Sequence, residues 1–180
     1  MSGGWGRGLG VFLLCAASGL AAAAGLAEWP EGWQVTRSPE APDDAAALRR
    51  ERGVRLAADG SQALVVEITR SRLAEVKGVD LQRVILQMRK SLQVDFLRQG
   101  FQAACSKPRQ ASLGGLDGLE LVCSISQNGS EAMKQGVQVA LGKEAAYSLT
   151  YAAPAADYPQ RLAEVAALKA GLRLEWAGRK

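Results

Sequence analysis

The chain has 180 residues, 22 Lys and Arg against 18 Asp and Glu, a formal net charge of +4 and 48% hydrophobic residues. That length suits one domain able to bury its own core without a metal. Histidine is absent, which excludes Ser-His-Asp and Cys-His catalysis, imidazole general bases and histidine-based zinc sites.

The N-terminus reads as a leader. "MSGGWGRG" carries Arg7 and no acid, "LGVFLLCAASGLAAAA" is an apolar run, and small residues precede Glu28, the first acid in the chain. This is the layout of a secretory signal peptide. The processing pattern fits Ala22-Ala23-Ala24 before Gly25 and Gly25-Leu26-Ala27 before Glu28. The cut after Ala27 is preferred, so residues 1–27 are expected to be the leader and 28–180 a single mature domain. A membrane anchor wants about 20 strongly apolar residues; this run is shorter and rich in Ala and Gly, so no stable span is expected. Leu14 stands before Cys15 where a lipoprotein signal wants a small residue. The expected compartment is the periplasm, with secretion as the alternative. Export leaves Cys105 and Cys123, for which a disulfide is the default in an oxidising compartment. The other reading is two buried thiols. Neither cysteine belongs to a C-x-x-C motif, so a redox-active dithiol has little support.

In chain order, "GWQVT" predicts a short first strand over Gly32–Thr36, with Trp33 and Val35 on one face. "RSPEAPDDAAALRRER" predicts a polar helix capped by Asp43 or Asp44. "GVRLAAD" and "QALVVEITR", split by Asp59-Gly60-Ser61, read as a hairpin. From Asp80 to about Gln99 the period changes. Leu81, Ile85, Met88, Leu92 and Phe96 form one stripe of an amphipathic helix that Gly100 ends. Residues 101–153 then read as an antiparallel meander. Leu119, Leu121, Cys123 and Ile125 alternate with more polar neighbours, and Asn128-Gly129 is a strong hairpin signal. The same residues with Ser130 form a glycosylation sequon, but the turn reading is preferred.

A turn at Gly114-Gly115 brings Cys105 and Cys123 nearly opposite. The register misses by one, so a bulge is expected near Pro108. A second helix follows Asp157 and Pro159, with Tyr158, Leu162, Val165 and Leu172 pointing roughly one way and Gly171 near its end. "LRLEW" is expected to add a final strand. The fold class is α+β: an antiparallel meander with two main helices packed on it.

Chemistry is sparse. There is no G-x-S-x-G, S-x-x-K, Walker loop or G-x-G-x-x-G, and "LGGLDG" reads as a turn. Asp117 with Glu120, and Asp43 with Asp44 and Glu51, are the acids close enough in sequence to weigh as carboxylate pairs. None has calcium-loop spacing. No catalytic, cofactor-binding or metal-binding residue is assigned. Scattered basic residues without interleaved aromatics argue against nucleic acid. Trp29, Tyr151, Tyr158 and Trp176 are the candidate ligand or partner surface, while Trp33 is assigned to the core.

The order of these pieces carries a resemblance: Trp33 on its strand, Leu113-Gly114-Gly115 before a strand, and Tyr147 to Tyr151 before the last helix. The chain resembles the PsbP/Mog1-like superfamily of α/β/α sandwiches, and more closely a family of small exported bacterial proteins known as a domain of unknown function. The resemblance implies architecture and brings no catalytic residue with it. The expected role is a non-enzymatic exported protein that binds a cell-envelope protein partner. The alternative is a carrier or sensor for a small apolar ligand held between sheet and helix. A carboxylate-based hydrolase stands third.

Overall fold

The structure, a computed structural model, describes residues 25–38 and 48–174. Most of the expected leader, Asp43, Asp44 and Trp176 lie outside them. The strands are β1 (Trp33–Arg37), β2 (Leu48–Leu56), β3 (Gln62–Arg72), β4 (Gln102–Cys105), β5 (Arg109–Leu113), β6 (Leu116–Gln127), β7 (Ser130–Leu141) and β8 (Ala145–Pro154). Helix α1 (Leu81–Arg98) lies between β3 and β4, and α2 (Tyr158–Ala170) follows β8. The strands form one antiparallel sheet in the order β1-β2-β3-β8-β7-β6-β4, with β5 also paired to β6.

Strand alternation divides the core in two. Leu119, Leu121, Cys123 and Ile125 of β6 join Val137 and Val139 of β7 on one face, where α1 covers them. Leu64, Val66 and Ile68 of β3 join Tyr147, Leu149 and Tyr151 of β8 on the other, under α2. Burying a Leu, Ile or Val side chain contributes about 1.5–3 kcal/mol. These two layers therefore supply much of what holds helices that would be marginal alone.

The long helix has the expected bounds: the Asp80 side chain accepts from the Arg83 amide, and the stripe Leu81, Ile85, Met88, Leu92 and Phe96 faces the sheet. The bulge also stands where it was expected. Cys105 pairs with Cys123 and is bonded to it, while Arg109 pairs with Glu120. Ser106, Lys107 and Pro108 thus oppose only Leu121 and Val122. Ser106 repairs the break: its amide donates to the Val122 carbonyl, and its hydroxyl accepts from the Val122 amide at 3.1 Å.

Four expectations need correction. The polar helix proposed to run through Arg52 does not do so, because β2 begins at Leu48 and pairs with β3 from Leu48↔Ser71 onward. Helix-forming Leu and Arg yield here to pairing with β3 across the hairpin. Leu162 is exposed on α2, and Leu168 takes the buried position with Tyr158 and Val165. Trp33 is half-buried at the rim of the core and not inside it. The final strand reduces to a bridge between Leu172 and Ala27 within the described residues.

Candidate functional site

Helix α1 packs on β4, β6 and β7. It leaves β8 and β3 uncovered on that face, and there the strands present Thr150, Ser148, Thr69 and Ser71, all half-buried. A groove of about 350 Å³ follows the edge of the helix. Met88, Leu92, Phe96 and Val137 give it an apolar wall and floor, and Gln87, Ser91, Gln135 and Thr150 supply polar edges. A smaller hollow of about 140 Å³ continues past Met88 between Val84 and Ser148. The Ser148 and Thr69 hydroxyls hydrogen-bond to one another there at 2.5 Å. An apolar trough with a few hydroxyls and amides can hold an alkyl chain or ring and orient one polar end. Met88, with its flexible thioether, is the residue best able to repack around different shapes. At the mouth Asp95 is paired with Arg98 at 3.6 Å.

The opposite face holds the charged chemistry. Arg37, Glu51, Ile68, Leu149, Gln138, Glu120 and Arg109 stand side by side across the sheet in successive strand pairings. Each end of this row is an arginine beside a buried glutamate, and each glutamate takes an aromatic donor. Trp29 Nε1 donates to Glu51 at 2.9 Å, and the Tyr151 hydroxyl donates to Glu120 at 2.8 Å. Glu120 also accepts from Arg109 at 2.9 Å, with Lys169 Nζ at 3.6 Å.

In the next row each ring lies over a glycine. A Cβ at Gly53 would come 2.1 Å from the Trp29 ring, and one at Gly136 would come 2.1 Å from the Tyr151 ring. Tyr151 stacks on Tyr158 with centroids 5.9 Å apart, and Lys169 stands over the Tyr151 ring. Burial pushes both phenols above their ordinary range and pulls the Lys169 ammonium below its own, with the Glu120 charge partly restoring it.

This arrangement redraws the candidate surface. Tyr151 and Tyr158 are buried, so they are core residues and present no surface to a ligand or partner. Trp29 is half-buried, tied to Glu51, and tilted against Trp33 at 5.3 Å. Asp117 and Glu120 do not form a pair: Asp117 is exposed, while Glu120 turns under α2. No cluster of three or more metal-ligating side chains occurs among the described residues. Nor is any described helix long and apolar enough to cross a membrane. Sequence reasoning placed Met88, Leu92 and Phe96 on the core stripe and missed their second use. The available signal was the run of Ser and Thr at alternate positions of two neighbouring strands, which marks a face that no helix covers.

The family described as Domain of unknown function (DUF4946) matches residues 24–174. Among solved structures, the chain is similar to cyanobacterial PsbP (CyanoP) from Synechocystis sp. PCC 6803, with 9% identity and a TM-score of 0.59. That match covers 82% of this chain and 84% of the other, and it shows a shared fold alone. Among curated proteins, none matches this sequence.

Proposed function

The chain belongs to the family described as a domain of unknown function, DUF4946, and from that premise we propose an exported, non-enzymatic binding protein that holds the apolar part of a small ligand. The carrying observation is the groove of about 350 Å³ between α1 and the sheet, apolar along its floor and open to solvent at its edges. Its size falls within the range of small-molecule sites. Export is supported by the leader pattern and by the Cys105–Cys123 bridge, which suits an oxidising compartment. The non-enzymatic reading is supported by the lack of histidine and by Glu120, whose carboxylate is held by Tyr151 and Arg109 in a packed core.

A second reading, a protein partner in the cell envelope, draws on one further observation. Val94 and Leu97 leave apolar surface on α1, Leu97 with 67% exposure. Native mass spectrometry of periplasmic protein, followed by titration with the apolar fluorophore N-phenyl-1-naphthylamine, separates the two. The ligand reading expects a releasable adduct or saturable probe binding. It also expects Thr150→Trp, which fills the groove from the sheet side, to weaken probe binding at least ~10-fold with the melting temperature nearly unchanged. A wild-type protein that carries no adduct and binds no probe overturns the ligand reading, and envelope crosslinking from Leu97 then tests the partner.

A further inference from the structure

We propose that the leader is removed between Ala24 and Gly25, and that the α-ammonium this creates is received by the buried carboxylate of Glu51. The inference rests on the export reading and goes beyond it, because it fixes the bond that is cut and gives the new terminus a structural role.

The first support is what residues 26 and 27 do. Leu26 and Ala27 retain 2% and 6% exposure, as deep as the centre of the sheet. Ala27 bridges Leu172; the Leu26 carbonyl accepts from the Arg173 amide at 2.8 Å, and the Glu28 amide donates to the Gly171 carbonyl at 3.0 Å. A cut after Ala27 would remove two core side chains, the bridge to Leu172 and the bond from the Arg173 amide. The domain the structure describes needs them. Ala22 and Ala24 satisfy the small-residue pattern of a leader peptidase one step earlier.

Glu51 supplies the second support. Its side chain is buried, and among the described residues the cation beside it, Arg37, is itself half-exposed. The Leu26 amide donates to Oε1 at 2.7 Å, the Trp29 ring donates to Oε2, and Arg37 approaches Oε1 at 3.4 Å from a half-exposed position. A buried charge is costly unless it meets an opposite charge. Gly25 stands directly against this carboxylate: a Cβ there would lie 3.0 Å from Oε1. Hydrolysis places the water's hydroxyl on the Ala24 carbonyl and its hydrogen on the Gly25 nitrogen. That nitrogen takes a further proton from solvent below its pKa of about 8. The second charge thus arrives beside Glu51 only once the leader is gone.

The test uses the full chain, expressed with its leader and purified from the periplasm. Intact mass is expected to give a chain beginning at Gly25 and lacking two hydrogens. A chain beginning at Leu26 or Glu28 overturns this inference and leaves export standing; an uncut chain retained in the cytoplasm overturns both. The α-amine of the processed protein is then titrated by NMR after reductive ¹³C-methylation. A pKa above about 8 in wild type, returning towards that value in Glu51→Gln, is expected. A wild-type value at or below about 8 overturns the pairing, and because wild type alone decides it, failure of Glu51→Gln to fold does not spoil the test.

Discussion

Glu120 shows how one residue can organise a layer. It is buried, takes a hydroxyl from Tyr151 and a guanidinium from Arg109, and keeps the Lys169 ammonium close enough to cover the tyrosine ring. The energetic consequence appears at alkaline pH. Burial raises the Tyr151 and Tyr158 phenols, so the folded chain holds two protons that the unfolded chain releases near pH ~10. Stability contributed this way is present below about pH 10 and lost above it. Lys169 acts in the opposite sense. Burial lowers it, so its share rises with pH up to its unfolded value of about 10.4 and then stays constant. The melting temperature is therefore expected to hold to about pH 10 and fall beyond it, with a shallower fall in Tyr158→Phe. Thermal melts of both proteins from pH 8 to 11.5 check this; parallel curves would refute it. Little of this was legible beforehand, because a tyrosine on an apolar strand face reads equally as core or as platform until its glycine neighbour is known.

The strands β4 and β5 act as one element broken by Ser106, Lys107 and Pro108. The sequence carried that break openly: two cysteines nearly symmetric about a Gly-Gly turn, off by one residue, with a proline in the interval. The proline removes a backbone donor, and the Ser106 hydroxyl accepts the bond that keeps Val122 satisfied. The bridge between Cys105 and Cys123 spans 18 residues of sequence, a loop whose closure is worth about 3 kcal/mol in the chain-entropy account. Urea unfolding with and without dithiothreitol is expected to show a loss of about that size. Equal midpoints would mean that strand pairing alone fixes the bulge. β2 shows the opposite case. Its opening residues favour a helix locally, and only pairing with β3 decides against it. The Asp59-Gly60-Ser61 turn announced the hairpin, but nothing in local composition showed that pairing reaches back past the register shift at Arg55/Leu56 to Leu48. The groove was hidden for a related reason. Periodicity reports which side of α1 is apolar, but not how far the sheet extends beyond it.

At the scale of the molecule, one sheet separates two cores. Ile85 of α1 and Leu168 of α2 are both fully buried, each in its own layer. Truncating either to Ala is expected to cost about 2–5 kcal/mol. Because the sheet lies between them, the costs in Ile85→Ala/Leu168→Ala should add within about 0.5 kcal/mol. Denaturant unfolding of the two single variants and the double variant measures the coupling, and a larger departure would mean that the layers share strain through the strands. The architecture itself was largely legible, since helix stripe, hairpin turns and cysteine spacing agree with one another. What joins the layers was less so. Ala27 meets Leu172, the Leu26 carbonyl meets Arg173, and Arg173 pairs with Glu28. The first and last segments of the domain therefore complete each other. During synthesis the strap can meet Glu51 and Gly53 of β2 early, but its outer edge has no partner until Leu172 and Arg173 have been made. Closure of that seam is in this way timed to the segment after α2, which locks a strap that β2 has already seated.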